Sequence, residues 1–195
     1  MLGDVPAKFR CIVSDSGRRE IMDTLTSEQA TFLLARSISN AQNEHLITKR
    51  IIEAIPLDKG DYRPAPDSMT AFALAAHIAG AENLFLNGIA VGEFDFTAKM
   101  PESIRNSADI AKWYDDNFER NIGRIQALSP QQLVKVIDFR GRFQWPAIEY
   151  LPFSFSHTIH HRGQLSTYLR PMGAKVPSMY GESFDDAQAR KAAQA

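Results

Sequence analysis

Residues Ser156 to Leu165 read Ser-His-Thr-Ile-His-His-Arg-Gly-Gln-Leu and hold three of the five histidines of the chain. If this stretch is helical, His157 and His161 lie one turn apart, and their side chains point within about 40° of each other around the axis. Two imidazoles placed in this way can reach one ion at about 2.0–2.1 Å. His160 lies about 100° from His161 and falls off that face. The spacing predicts that His157 and His161 bind a divalent metal together with a third ligand from elsewhere in the fold.

Composition and charge exclude several classes of protein. The chain has 195 residues, 44% hydrophobic and 23% charged, which suits one globular domain with a sizeable core. The formal net charge is -1 and no run of Lys and Arg stands out, so we expect no nucleic-acid partner. The one cysteine, Cys11, excludes an intrachain disulfide and is compatible with a reducing compartment. Without a visible signal peptide or an apolar stretch of about 20 residues, we expect a cytoplasmic protein with no membrane span.

Two long helices are predicted in the first half of the chain. Residues 26–29 (TSEQ) form a capping box. Inward positions then recur at spacings of three and four over residues 34–55, and Pro56 ends the pattern. A second helix begins at Ser68 or Thr70 and runs to about residue 88, with small residues on several sides of its histidine.

Two further long helices are predicted in the second half. The third is capped by Ser107 and extends to about Leu128. Residues 134–139 alternate in polarity and predict a short strand. The fourth helix runs over residues 146–169, and because Pro152 lies inside it we expect a kink or a local break near that residue.

These patterns together predict an all-α fold, a four-helix bundle with long loops. Metal ligands in such bundles come from facing helices. We divide the chain into an N-terminal arm over residues 1–25, the bundle over residues 26–180 and a polar, frayed tail over residues 181–195.

The residues alone leave two candidates for the third ligand. His45 lies on the inward face of the first helix, where a histidine is more often a hydrogen-bonded core residue than a ligand. His77 lies in the second helix among Ala and Gly residues, which let a neighbouring helix come close. It either bridges two helices at a metal or points into the core and bonds a carbonyl group.

Three segments resemble the DinB/YfiT-like metalloprotein superfamily. They are residues 76–82 (AHIAGAE), 157–164 (HTIHHRGQ) and 168–181 (YLRPMGAKVPSMYG). The resemblance extends from about residue 34 to residue 180. It implies helices in an up-down-down-up order, often a homodimer, and members that include transferases and isomerases dependent on low-molecular-weight thiols.

The resemblance also implies a set of metal ligands. Carried over to this chain, they are His77, His157 and His161. Three neutral imidazoles leave at least one position open on zinc, nickel, iron or manganese, and an open site can activate a water or a thiol. Thr158 follows His157 where a metalloprotease has its glutamate, so the general base is not assigned.

Five more residues are candidates for supporting the site. Glu82 points about 140° away from His77, so it is a poor candidate for the general base. It is predicted to contact a residue that supports the ligands, and Arg162 is the candidate. Gln164 and Tyr150 lie on the same stripe as the two histidines and are candidates for orienting a ligand or a substrate. His160 is a donor beside the ligands, a base or a packing residue.

The expected function is that of a metal-dependent enzyme, a thiol-dependent S-transferase or a hydrolase, acting on a small molecule. The alternative is a non-catalytic metal-binding stress-response module, which a fourth protein ligand such as His45 would favour. A bundle without metal, in which the histidines only pack, is the third possibility.

Overall fold

The structure, a computed structural model, describes residues 25–194, which fold mostly into helices joined by loops and one β-hairpin. The elements are α1 (Ser27–Glu53), α2 (Ala71–Val91), α3 (Ser107–Gln126), α4 (Pro130–Leu133), β1 (Val136–Phe139), β2 (Phe143–Pro146), α5 (Tyr150–Leu169) and α6 (Phe184–Ala192). The N-terminal arm, with Cys11, lies outside the described residues apart from Leu25. The order of helix directions implied by the resemblance stays a prediction.

The caps show why the helices begin where they do. At α1 the predicted capping box is confirmed, because the Thr26 hydroxyl accepts from the Gln29 N–H at 3.2 Å and Gln29 Oε1 accepts from the Thr26 N–H at 2.8 Å. At α3 the predicted cap was wrong by one residue, since Asn106 Oδ1 accepts from the Asp109 N–H. Ser107 instead donates its hydroxyl to the carbonyl of Ile55, past the end of α1.

The helix predicted over residues 146–169 is shorter than expected. Pro146 is the last residue of β2, residues 147–149 form a 3-10 turn, and α5 begins at Tyr150. Pro152 therefore falls in the first turn of α5, where a backbone N–H has no partner within the helix. Of the two expected outcomes near Pro152, a kink or a local break, the structure shows a break, which lies just before α5 at the 3-10 turn.

The chain after α5 also departs from the prediction. Residues Phe184–Ala192 form α6 rather than a frayed tail. The Ser183 hydroxyl caps this helix by accepting from the Asp186 N–H. The Asp185 and Asp186 side chains accept hydrogen bonds from the backbone N–H groups of Val176 and Ser178, which hold α6 against the preceding loop.

The core has two apolar clusters with a polar layer between them. Helices α1 and α2 each pack against both α3 and α5. One cluster contains Phe85 and Phe155, and the other contains Ile78 and Leu165. Between them along α1, α2 and α5 lie buried polar residues, which we call the polar layer: Glu44, His45, Thr48, Glu82, Thr158 and Arg162.

Helix α2 has the length and mean hydropathy of a membrane span. Half of its most apolar window is buried inside the fold. Its neighbours α3 and α5 cover that part, so its apolar composition has an explanation in the core of the protein.

Candidate metal centre

Helices α2 and α5 bring three histidines together. His77 comes from α2, and His157 and His161 come from successive turns of α5. One ring nitrogen of each lies within 4.8 Å of the corresponding nitrogens of the other two. Nε2 of His77 lies 3.3 Å from Nε2 of His161. His77 is exposed and the other two rings are half-buried, so the group opens to solvent beside α2.

The spacing of the nitrogens suits a small tetrahedral ion. Two nitrogens each about 2.0–2.1 Å from an ion in tetrahedral geometry are about 3.3–3.4 Å apart. The Nε2 atoms of His77 and His161 have this separation. The remaining pairs lie within 4.8 Å, a distance that side-chain rotation can shorten. Imidazole nitrogen is a favourable ligand for zinc, iron, nickel and copper, so the donor set fits a divalent transition metal.

Gln164 fixes the orientation of one ring. Its Oε1 lies 2.8 Å from Nδ1 of His161, so Nδ1 carries the proton and donates it. The Nε2 lone pair of His161 then faces His77, as a metal ligand requires. Nε2 of Gln164 lies 3.2 Å from Nε2 of the exposed His160 and can donate to it. The structure thus places Gln164 and His160 beside the group of three, with His160 on its outer side.

The surroundings keep the three imidazoles neutral. Burial, followed by the neighbouring His161, His77 and His160, lowers the pKa of His157 to about 3. Burial and then His161 lower the pKa of His77. Burial also lowers the pKa of His161, and its hydrogen bond with Gln164 works in the opposite direction. Neutral rings have the lone pairs that a metal ion needs, and they hold no proton that the ion must displace.

His157 has an unpartnered polar atom. Its Nδ1 is buried and has no hydrogen-bond partner among the residues that the structure describes. A core histidine that only packs is normally hydrogen-bonded, because a buried polar atom without a partner costs free energy. Nδ1 of the core residue His45 is also unpartnered, so this observation is compatible with a ligand role for the His157 ring but does not by itself distinguish that role from packing.

His45 does not join the group. Its Nε2 lies 2.9 Å from Oδ1 of Asp115, and its ring stacks on Tyr114 and Phe118 with centroids 4.3 and 3.8 Å away. The ring is held between α3 side chains inside the core, which is why it does not reach the cleft between α2 and α5. The structure gives His45 the role of a hydrogen-bonded core residue and not that of a fourth ligand.

The expected pairing of Glu82 with Arg162 was wrong. Arg162 Nη1 pairs with Oε2 of Glu44 at 2.7 Å, because its buried side chain extends towards α1. Glu82 Oε2 instead accepts hydrogen bonds from the hydroxyls of Tyr114 at 2.8 Å and Thr158 at 3.0 Å. From the sequence, Tyr114 had no assigned role, and Thr158 was considered only because it stands where a metalloprotease has its glutamate. Their inward positions on the predicted helices were the signal in the sequence that could have identified them.

Tyr150 does not orient a ligand. It is fully buried in the first turn of α5, and its hydroxyl donates to the carbonyl of Ile137 at 2.8 Å. Its ring packs against Phe94 and Trp145, with centroids 4.9 and 5.3 Å away. Because one 3-10 turn separates α5 from the hairpin, this end of the predicted stripe packs against the hairpin and the loop after α2.

Comparison with known proteins agrees with these features. A family model described as the DinB family matches residues 27–193. Two Bacillus subtilis proteins are similar in sequence. YjoA is 31% identical over 139 residues, which cover 70% of this chain and 88% of YjoA. YrdA is 30% identical over 104 residues, which cover 51% of this chain and 62% of YrdA.

Solved structures show the same fold. The crystal structure of the DinB-like protein YjoA from Bacillus subtilis has a TM-score of 0.62 and 27% identity, and the match covers 76% of this chain and 99% of that one. A DinB-like protein from Bacillus cereus has a TM-score of 0.64 and 24% identity, with 74% and 95% of the two chains covered. Since the family model spans all four long helices and the three clustered histidines, this chain belongs to the DinB family.

Proposed function

We propose that this protein is a metal-dependent enzyme that acts on a small molecule at the group of His77, His157 and His161. The reaction is a thiol-dependent S-transfer or a hydrolysis. The observation that carries the proposal is an open set of ligands. The three ring nitrogens lie within 4.8 Å of one another, and no fourth His, Cys, Asp or Glu from residues 25–194 joins them. A coordination position is therefore left for a substrate or a solvent molecule.

Each side chain has a definable part in this proposal. The three imidazoles would hold zinc, nickel, iron or manganese as neutral ligands. A divalent ion in such a site supplies a Lewis acid that lowers the pKa of a coordinated water or thiol towards neutrality. Gln164 keeps the proton of His161 on Nδ1 and so keeps Nε2 free for the ion. The exposed edge at His77 gives a substrate access to the open position.

The wider setting is part of the same proposal. We take the four long helices as an up-down-down-up bundle, the protein as a cytoplasmic homodimer, and a low-molecular-weight thiol as the co-substrate of the transferase reaction. Membership of the DinB family supports these choices, because the resemblance to that family implies the bundle, the dimer and thiol-dependent members.

A second candidate is a protein without metal in which the histidines only pack. The 3.3 Å between Nε2 of His77 and Nε2 of His161 is also compatible with a hydrogen bond between two neutral rings. Elemental analysis decides between the two candidates, because packing alone requires no ion.

The test begins with protein purified without added metal. We expect about one divalent ion per chain by elemental analysis, since the histidines form one group of ligands. The protein is then screened for conjugation of low-molecular-weight thiols to electrophiles and for hydrolysis of small esters and amides. Removing the ion with a chelator should abolish the activity, and adding it back should restore it. Full activity without metal would overturn the proposal, and bound metal with no turnover would favour a non-catalytic metal-binding module.

A further inference from the structure

Glu82 is a buried carboxylate that joins the two helices of the metal centre. It lies on α2 and is 2% exposed. Its Oε2 accepts from the Thr158 hydroxyl on α5 at 3.0 Å and from the Tyr114 hydroxyl on α3 at 2.8 Å. The hydrogen bond to Thr158 therefore links α2, which carries His77, with α5, which carries the other two histidines.

Among the described residues, the Glu82 carboxylate faces a histidine rather than a lysine or an arginine. The other buried glutamate, Glu44, has the guanidinium of Arg162 at 2.7 Å. Glu82 has no Lys or Arg nitrogen within 4 Å in the part of the chain that the structure describes, and its closest basic atom there is Nδ1 of His45 at 3.5 Å. Oε1 of Glu82 and Nδ1 of His45 make no hydrogen bond among the described residues. Buried charges in proteins are normally paired or placed next to a metal.

The position of Glu82 suggests that its negative charge acts on an ion bound by the three histidines. It follows His77 by five residues, which is about 7.5 Å along the helix axis. Its partner Thr158 comes directly after His157, and the Thr158 side chain is fully buried on the inner side of the same helical turn. A divalent ion held by three neutral imidazoles brings two positive charges to this level of the fold.

We propose that Glu82 is a positioning residue for the three-histidine centre and the buried counter-charge of its ion. Through its hydrogen bond with Thr158, Glu82 fixes the spacing of α2 and α5, so that His77 stays close enough to His157 and His161 for all three rings to reach one ion. Its negative charge offsets the charge of the ion from the inner side. This inference rests on the proposed function, because it requires that the histidines bind a metal.

The test compares two identical substitutions in the polar layer. Thr158→Val removes the hydroxyl that donates to Glu82, while Thr48→Val removes a hydroxyl on α1 that donates to the Glu44 carbonyl and accepts from Arg162. Both threonines are fully buried, so both variants should lower the Tm. The dissociation constants of Zn²⁺ and Co²⁺ are measured for each variant, and the absorption spectrum of bound Co²⁺ reports the ligand geometry.

We expect Thr158→Val to weaken Zn²⁺ and Co²⁺ binding about tenfold or more and Thr48→Val to change it by less than about twofold. Thr158→Ser keeps the hydroxyl and should restore the affinity and the Co²⁺ spectrum. Glu82→Gln keeps an oxygen acceptor and removes the charge, so it too should weaken binding about tenfold. These conservative variants keep the test decisive if Thr158→Val fails to fold.

Two results would overturn this inference alone. The first is an equal loss of metal affinity in Thr158→Val and Thr48→Val, and the second is an unchanged metal affinity in Glu82→Gln. Either result counts against the inference alone when the unsubstituted protein binds metal and His161→Ala abolishes that binding. If the unsubstituted protein takes up no metal, the proposed function fails together with the inference.

Discussion

His160 and His161 are neighbours in the chain and have different surroundings. The ring of His161 is half-buried and faces His77 across the cleft, whereas the ring of His160 is exposed. A rotation of about 100° per residue around α5 produces this difference. At the residue scale, the helical period therefore places His161 among the candidate ligands and its neighbour His160 outside them, although both are histidines.

The pair provides a matched test of the ligand set. His161→Ala should abolish uptake of Zn²⁺ while leaving the helical content largely intact, because it removes one of three imidazoles from a partly exposed site. His160→Ala should keep about one ion per chain, since His160 lies outside the group of three. Elemental analysis and circular dichroism measure the two effects. Equal metal content in both variants would contradict the assignment.

The low pKa of His157 predicts a pH dependence of stability. In the unfolded chain this ring takes up a proton as the pH falls below 6.5, but in the folded protein it stays neutral until about pH 3. The unfolded state binds more protons in this window, so the metal-free protein should lose stability as the pH falls from 6.5 towards 3. Urea unfolding of the metal-free protein across this window measures the loss.

His157→Gln is the control for this prediction, because glutamine does not titrate. The variant should lose less stability over the same pH range, since one proton-linked contribution is gone. Parallel pH profiles for the variant and the unsubstituted protein would show that His157 titrates normally in the fold.

At the element scale, α5 is tied to the hairpin by one side chain. The Tyr150 hydroxyl donates to the carbonyl of Ile137 in β1 and approaches that of Phe143 in β2 at 3.3 Å. Tyr150→Phe keeps the ring and removes these bonds, so it should cost about 1 kcal/mol of unfolding free energy. Its Zn²⁺ affinity should not change, because the hydroxyl does not serve the histidines. Denaturant unfolding and metal titration separate the two effects. Weakened Zn²⁺ binding in Tyr150→Phe would support the role in orienting a ligand that was predicted from the sequence.

At the scale of the whole molecule, the buried pair of Arg162 and Glu44 holds α5 to α1. Arg162 is 1% exposed and also donates to the hydroxyls of Thr48 and Tyr180. Arg162→Leu leaves Glu44 buried without its partner and should cost about 3 kcal/mol or more.

The exposed pair of Lys112 and Asp116, 2.8 Å apart on α3, is the control for Arg162→Leu. Lys112→Ala should have no measurable effect, because solvent screens an exposed ion pair. Denaturant unfolding compares the two variants. An equal free energy of unfolding for both variants would mean that the buried Arg162–Glu44 pair contributes no more to stability than the exposed pair.

What the sequence could predict follows from the range of each interaction. The capping box of α1 and the shared face of His157 and His161 depend on residues three or four apart, so local spacing was enough to predict them. The partners of Arg162 and Glu82 lie 118 and 76 residues away along the chain, at Glu44 and Thr158. Side chains at such distances are brought together by helix packing, which one sequence does not give.

The two parts of the histidine group are separated by 84 residues between His77 and His161. Ribosomes add about 5–20 residues per second, so a growing chain carries His77 for roughly 4–17 s before His161 is made. During that interval a single imidazole on α2 cannot retain an ion against the many competing ligands of the cell. Metal uptake by the three histidines would therefore report that synthesis has passed α5 and that this helix has docked against α2.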